Sequence, residues 1–281
     1  MFENNKNVTL HTEKEAPFLT FAPLTDIPFI KHGFTTRLGG VSEGFFESLN
    51  LSYSVGDEKE KVDENYKRIC RSLEVPYEDV VATHQVHKTN IRLVKEDDKG
   101  KGLYLPRDYE EIDGLITKEK KIPLATFYAD CVPLYFVDTK QHAIGLSHSG
   151  WRGTVGRMGL KTVRGMQEAF GSEPGHITAL IGPSICKECY EVSEEVAEEF
   201  LKEFSGELGG EPERILVKNP AGGYQLDLWE VNRIILKAAG LKEENIHVSG
   251  LCTCCHSDLL YSHRASKGRR GTLAAFLMLT E

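Results

Sequence analysis

The apolar positions of this chain follow two rhythms: short continuous runs, and a spacing of three to four residues. Val132-Pro133-Leu134-Tyr135-Phe136-Val137 and His142-Ala143-Ile144-Gly145-Leu146 are β-branched and aromatic runs split by the polar turn Asp138-Thr139-Lys140-Gln141. That pattern predicts two adjacent strands, 132–137 and 143–147. Further short runs predict strands at 80–83, 91–94, 123–128, 178–181, 246–251 and 272–279. Helical spacing appears at 57–73, through Val62, Tyr66, Ile69 and Leu73, and at 153–170, through Val155, Met158, Val163, Met166 and Phe170. Two more helices are expected at 193–204, with Ser193 as N-cap, and at 227–239, stopped by Gly240. Strands and helices follow one another in irregular order, without the alternation of a doubly wound sheet. The expected class is α+β, with mixed β-sheets and flanking helices.

No low-complexity tract, solenoid-length repeat or Pro/Ser-rich linker interrupts the pattern, so one domain over 1–281 is expected, with 1–29 as an N-terminal extension. The formal charge is −8 and Lys/Arg blocks are absent, which disfavours nucleic acid or an anionic membrane as partner and favours a small polar substrate. Met1 to Lys6 carries acidic and polar residues where a signal peptide would be apolar, and no run approaches a membrane span. We expect a cytoplasmic protein, a monomer or small homo-oligomer. Seven cysteines without a secretory signal point to reduced thiols or metal ligands and not to a disulfide framework.

The chemistry gathers between Ala129-Asp130-Cys131 and His148-Ser149-Gly150-Trp151-Arg152-Gly153. Adjacent strands bring Cys131 and His148 together, and Thr83-His84-Gln85-Val86-His87 supplies a third donor. One thiol and two imidazoles make either a three-ligand zinc site with an open fourth position or a thiolate nucleophile with its base. In the first case the metal acidifies water to near neutral pH. His84 and His87 both qualify. In an extended segment side chains three apart face opposite sides, so only one reaches the site. His148 at a strand-to-helix junction, the following glycines and Arg152 also predict an anion site, with phosphate as its natural guest. Cys186-x-x-Cys189 and Cys252-Thr253-Cys254-Cys255 offer four further thiols. Their separation is far longer than in zinc ribbons, so no closed zinc is expected there. Cys189, Cys252 and Cys254 are read as core or supporting residues, and Cys255 with His256 stays ambiguous.

Thr83-His-Gln-Val-His87, Ala129-Asp-Cys131-Val-Pro-Leu, His148-Ser-Gly-Trp-Arg-Gly-Thr154 and Ile181-Gly-Pro-Ser-Ile185 resemble the motifs of the laccase-domain family. Gly33 to Ser42, Ser48-Leu-Asn50-Leu, Val55-Gly-Asp57, Cys252-Thr253 and Tyr261-Ser-His-Arg264 extend the likeness over most of the chain. Members have been labelled multicopper polyphenol oxidase, purine nucleoside phosphorylase and peptidoglycan-editing factor. The resemblance implies a layered, cysteine-hydrolase-like sandwich and zinc held by His87, Cys131 and His148. It also implies phosphorolysis of adenosine, inosine, guanosine or methylthioadenosine, and hydrolytic deamination of adenosine. Candidate catalytic residues are Cys131, His148 and Arg152. Candidate nucleoside- and phosphate-binding residues are Arg37, Ser42, Asn50 and Arg264, the alternative for the first three being support of the turn at Gly39-Gly40. Where the family often reads Tyr-Arg-Arg and then Gly-Arg, this chain has His263-Arg264-Ala265 and then Gly268-Arg269, so the second arginine of the triplet is missing.

A multicopper centre needs paired imidazoles, and this sequence has no His-x-His pair. Copper is therefore expected only as an alternative occupant of the zinc site, which it binds with higher affinity. Two other functions compete with the nucleoside enzyme. One is a Cys-His hydrolase with Cys131 as nucleophile, acting on an amide of a muropeptide precursor in peptidoglycan editing. The other is a non-catalytic metal-binding partner protein, suggested by the acidic segment 194–203.

Overall fold

The computed structural model describes residues 6–220 and 222–280. The signal-peptide expectation for Met1 to Lys6 lies mostly outside them. In chain order the first half holds β1 (Val8–His11), β2 (Phe18–Phe21), the single-turn α1 (Ala22–Thr25), β3 (Ile30–Thr35), α2 (Lys59–Leu73), β4 (Val81–Ala82), β5 (Ile91–Leu93), β6 (Gly114–Thr117) and β7 (Leu124–Tyr128). Then follow β8 (Val132–Asp138), β9 (Ala143–Ser149), α3 (Trp151–Val155), α4 (Met158–Phe170), β10 (Ile177–Ile181), β11 (Glu191–Val192) and α5 (Glu194–Leu208). The chain closes with β12 (Leu216–Lys218), β13 (Tyr224–Leu226), α6 (Leu228–Ala238), β14 (Ile246–Val248) and β15 (Leu273–Leu279).

Two six-stranded mixed sheets, ordered β1-β2-β3-β15-β7-β4 and β14-β10-β8-β9-β6-β5, pack face to face. Alternation along β8 shows why. Tyr135 and Val137 enter the core shared with Phe34, Tyr128 and Leu277 of the first sheet, while Val132, Leu134 and Phe136 point to the other face, against α4, α5 and α6. Tyr135 also crosses between the sheets, its hydroxyl donating to the Gly33 carbonyl at 3.0 Å. The outer face of the first sheet is covered by Val62, Tyr66, Ile69 and Leu73 of α2. The layers are thus helix, sheet, sheet, helix. β8, β9 and β15 are buried along their whole length, and strands covered on both faces carry continuous apolar runs. A small third sheet, β11-β13-β12, lies beside α5. No helix among the described residues is long and apolar enough to cross a membrane.

The expected class, α+β with mixed sheets and flanking helices, holds. Most expected elements are present with ends moved by one to four residues, and Asp227 caps α6 by accepting the Glu230 amide at 3.0 Å. Ser193 stands at the N-cap of α5 without making a side-chain capping bond. The helix expected over 153–170 is two helices. Arg157 sits between them in the left-handed region at φ +57°, its guanidinium held by Glu203 and Glu207 of α5 at 2.5 and 2.7 Å. Residues 8–29 of the expected N-terminal extension form β1, β2 and α1, and β2 pairs with β3 of the first sheet.

Candidate active site

β8 and β9 pair antiparallel with Pro133 opposite His148. Cys131, immediately before β8, and His148, near the end of β9, therefore meet at one end of the inter-sheet core. His148 is buried, lies tilted against the Tyr128 ring at 5.6 Å, and faces His87 edge-on at 4.9 Å between ring centroids. The ligand atoms of His87, Cys131 and His148 all lie within 4.8 Å of one another, with Cys131 Sγ 3.9 Å from His87 Nε2. His84 turns away, and its Nδ1 accepts the Glu111 amide at 3.2 Å. Of the two histidines in Thr83–His87, this geometry brings only His87 into the group.

The group is organised by Asp113, the residue before β6, to which no role attaches in the sequence. Its Oδ1 accepts the His87 amide at 3.0 Å and contacts His148 Nδ1 at 2.9 Å, while its Oδ2 accepts the amides of Val86 and Lys88, each at 3.1 Å. Three successive amides around one carboxylate form a nest that holds His87 at φ +62°, a conformation side chains other than glycine seldom adopt. The same carboxylate fixes the His148 ring and leaves Nε2 to face Cys131 and His87. Burial works against ionisation of Asp113, yet the bonds from His148 and from the Val86 and Lys88 amides hold its pKa below the usual value.

Asp130, just before Cys131, is held in the left-handed region at φ +88°. Its carboxylate accepts the Thr253 hydroxyl at 2.6 Å and the Arg264 amide at 2.7 Å, and its carbonyl accepts the Ile185 amide at 3.0 Å. Gly150 closes the other side. A Cβ there would lie 3.0 Å from both Cys131 Sγ and His87 Cδ2, close enough that a larger residue would push on two members of the group. Burial raises the Cys131 thiol, but His148 above all, then His87, outweighs it and brings the pKa down to about 6. His148 shows the converse: burial lowers it, and the Cys131 thiolate and Asp113 raise it to about 9. Without metal the two form a thiolate–imidazolium pair. Two imidazoles and a thiolate converging in this way, with a carboxylate orienting one imidazole, fit zinc with an open fourth position.

Arg37 lines a cavity of about 230 Å³ together with Phe45, Ser257, Tyr261, Arg269 and Arg270. Arg270 is half-buried; its Nη1 donates to the Gly271 carbonyl and the Thr272 hydroxyl at 3.0 and 2.9 Å, while its buried Nε has no hydrogen-bond partner. Burial lowers its pKa, with Asp130 and Cys131 near enough to oppose that, which places this guanidinium within electrostatic range of the thiol. Arg264 reaches from the other side to the carbonyls of Cys189 and Glu191, at 3.2 and 2.8 Å. Tyr190 lies between, in the field of Cys131, Arg264, Asp130 and Arg152. Arg152 is exposed, its guanidinium 4.2 Å over the Trp151 ring, on a helix of only five residues whose dipole is correspondingly short. Ser42 and Asn50 lie in a different network: both bond Asp57 Oδ2, at 2.6 and 2.9 Å, and Asn65 donates to both of these residues. Their polar atoms hold the turn around Gly40 and 48–52. Asp113, Tyr190 and Arg270 carry no sequence expectation. Asp113 is one acidic residue among several before an apolar strand, and nothing local distinguishes it.

The structure thus defines a four-layer sandwich with a His-Cys-His donor group at one end of its inter-sheet core, braced by a buried carboxylate. A family model described as multi-copper polyphenol oxidoreductase laccase matches residues 31–280, and the chain belongs to that family. It is 39% identical over 253 residues to purine nucleoside phosphorylase YlmD of Bacillus subtilis (strain 168), covering 89% of this chain and 88% of that one. It is 34% identical over 236 residues to adenosine deaminase RL5 from an unknown prokaryotic organism, covering 82% and 87%. The crystal structure of YlmD from Geobacillus stearothermophilus superposes with a TM-score of 0.87 at 34% identity, covering 98% of this chain and 99% of that one.

Proposed function

We propose that this chain is a zinc-dependent purine nucleoside enzyme. On this reading it cleaves adenosine, inosine, guanosine or methylthioadenosine with phosphate, and deaminates adenosine with water. The observation that carries the reading is the convergence of His87, Cys131 and His148 within 4.8 Å, and the names of the relatives support it. Zinc held by these three residues supplies a Lewis acid that acidifies water near neutral pH, as attack on a purine ring carbon requires. The chain's own residues do the rest. Asp113 holds the His148 tautomer and the His87 loop, while Asp130 fixes the backbone on which Cys131 sits. Arg37, Arg269 and Arg270 offer cations to a phosphate in the cavity that they line, where guanidinium groups bind phosphate oxygens in pairs. Copper can occupy the same donors. The family's oxidase name gains no support from the site, since the groups able to hold a metal among the described residues are this one and a cluster of four cysteines.

The test is elemental analysis of protein purified without added metal, beside an adenosine assay with and without phosphate. About one zinc at His87, Cys131 and His148, adenine formed only with phosphate and inosine formed without it support the reading. Cys131→Ser should lose that zinc and both activities together, and full turnover by the metal-free protein would refute the reading. A second reading has its own observation: Cys131, His148 and Asp113 follow one another as nucleophile, base and orienting carboxylate, as in a Cys-His hydrolase acting on a muropeptide-precursor amide. It predicts a covalent adduct on Cys131 when metal-free protein meets an electrophilic amide analogue.

A further inference from the structure

The long separation between Cys186-x-x-Cys189 and Cys252-x-x-Cys255 argues against a closed site, and the fold removes that argument. β10 and β14 run parallel with Ile181 opposite Val248, and the chain continues side by side beyond them. The Ser184 amide donates to the Leu251 carbonyl and the Thr253 amide to the Ser184 carbonyl, each at 3.2 Å. Both Cys-x-x-Cys turns therefore leave the same sheet end together. The four Sγ atoms lie within 4.8 Å of one another, Cys189 and Cys255 at 3.5 Å. Four sulfurs around one tetrahedral zinc at about 2.3 Å stand about 3.8 Å apart, so this spacing matches a single ion. The Cys252 sulfur accepts the Cys186 amide at 3.2 Å and the Cys255 amide at 3.4 Å. Amides directed onto a sulfur favour its thiolate form. All four donors are soft, which disfavours magnesium or calcium. Cys254 packs against the same apolar core as Cys186, Cys189 and Cys252 but lies outside the group of four.

We propose that Cys186, Cys189, Cys252 and Cys255 form a second metal site, a closed four-thiolate zinc site with a structural role. It joins 183–192 to 249–264, the two segments that hold Asp130 through Ile185, Thr253 and Arg264. Arg264 bonds the Cys189 carbonyl, so the staple sits directly behind the wall that carries Cys131. With four protein ligands it has no open position, unlike the site at His87, Cys131 and His148, and the two sites can be counted separately.

Elemental analysis of the full chain, purified under anaerobic conditions, should give two zinc ions. The variant His87→Ala/Cys131→Ser should retain one, and Cys189→Ser/Cys255→Ser should lose one. The first variant loaded with Co2+ should show the intense thiolate-to-cobalt charge-transfer absorption of four sulfur ligands, a readout that does not require the second variant to fold. The proposal is overturned if the cobalt-loaded variant lacks that absorption, or if intact-mass measurement of the anaerobically purified chain shows a Cys189–Cys255 disulfide. It also fails if Cys189→Ser/Cys255→Ser, folded by circular dichroism, binds as much zinc as the parent, or if the retained ion is copper. A parent chain that carries the four-thiolate zinc but none at His87, Cys131 and His148 would refute the functional reading and leave this proposal standing.

Discussion

Asp113 does three jobs with two oxygens: it holds a strained loop, fixes an imidazole ring and places a negative charge beside two metal donors. Asp113→Asn keeps the volume but puts an amide donor where acceptors are needed. We expect a roughly 10- to 100-fold loss of zinc affinity at the His87 site, read by competition with a chelating dye. Zinc affinity equal to the parent would show that the carboxylate is dispensable. Cys131 supplies a pH test. Its folded pKa of about 6 lies below that of an unfolded thiol, so the thiolate's contribution is present above the unfolded value and lost as pH falls through about 6. His148, raised to about 9, contributes below its ordinary value and loses its share as pH rises through about 9. Metal-free protein should thus react with iodoacetamide at Cys131 along a titration centred near pH 6. Cys70, pushed up to about 12 by burial, should stay unmodified at neutral pH. A Cys131 midpoint at about 8.5, the value of a free thiol, would mean that His148 does not share its charge. At this scale Cys131 and His148 were legible in the sequence because each lies beside a strongly patterned strand. Gly150 and Asp113 were not, since their roles depend on atoms that no local pattern brings near.

Apolar spacing marks α2, α5 and α6, each of which lays one apolar face on its neighbours. α6 buries Val231, Ile234 and Ile235 against the second sheet's outer face and is capped by Asp227. Ile235→Ala should cost about 2–5 kcal/mol by urea denaturation, through lost contacts and the cavity left behind. Asp227→Ala should cost about 1 kcal/mol through one lost capping bond. The reverse order would mean that the cap, and not the packed face, sets the stability of this element. The break at Arg157 was not legible, because the apolar spacing runs on from Val155 through Met158. What separates α3 from α4 is a left-handed residue tied to Glu203 and Glu207 of α5, 46 and 50 positions along the chain. The third sheet leaves no mark in the apolar pattern for a different reason. β11, β12 and β13 are two or three residues long, too short for a period to show.

Across the whole molecule, the arginine-lined cavity is assembled from Arg37 just after β3 and from Arg269 and Arg270 just before β15. These two strands are neighbours in the first sheet although more than two hundred residues separate the arginines. If phosphate binds there, Arg270→Gln should raise the KM for phosphate in phosphorolysis by about tenfold or more, the worth of one charged hydrogen bond. Phosphate-independent deamination should be unchanged. Equal loss of both reactions would instead assign Arg270 a role in folding or at the metal.

Local pattern was enough for the kind of structure: the strongly patterned strands, the buried faces of the longer helices, and the meeting of a cysteine and a histidine on consecutive strands. These features follow from side-chain periodicity and from one antiparallel pairing across a four-residue turn, both local properties of the chain. Tertiary structure alone decided that His87 and not His84 joins them, that Asp113 braces the group, and that Arg37 and Arg270 line one cavity. It also decided that two distant Cys-x-x-Cys turns share one corner of the second sheet. The physical reason is the same in each case. These contacts are made by strands and loops brought together from far apart in the chain, and such pairings are chosen by burial of the whole core and leave no period in the residues that make them.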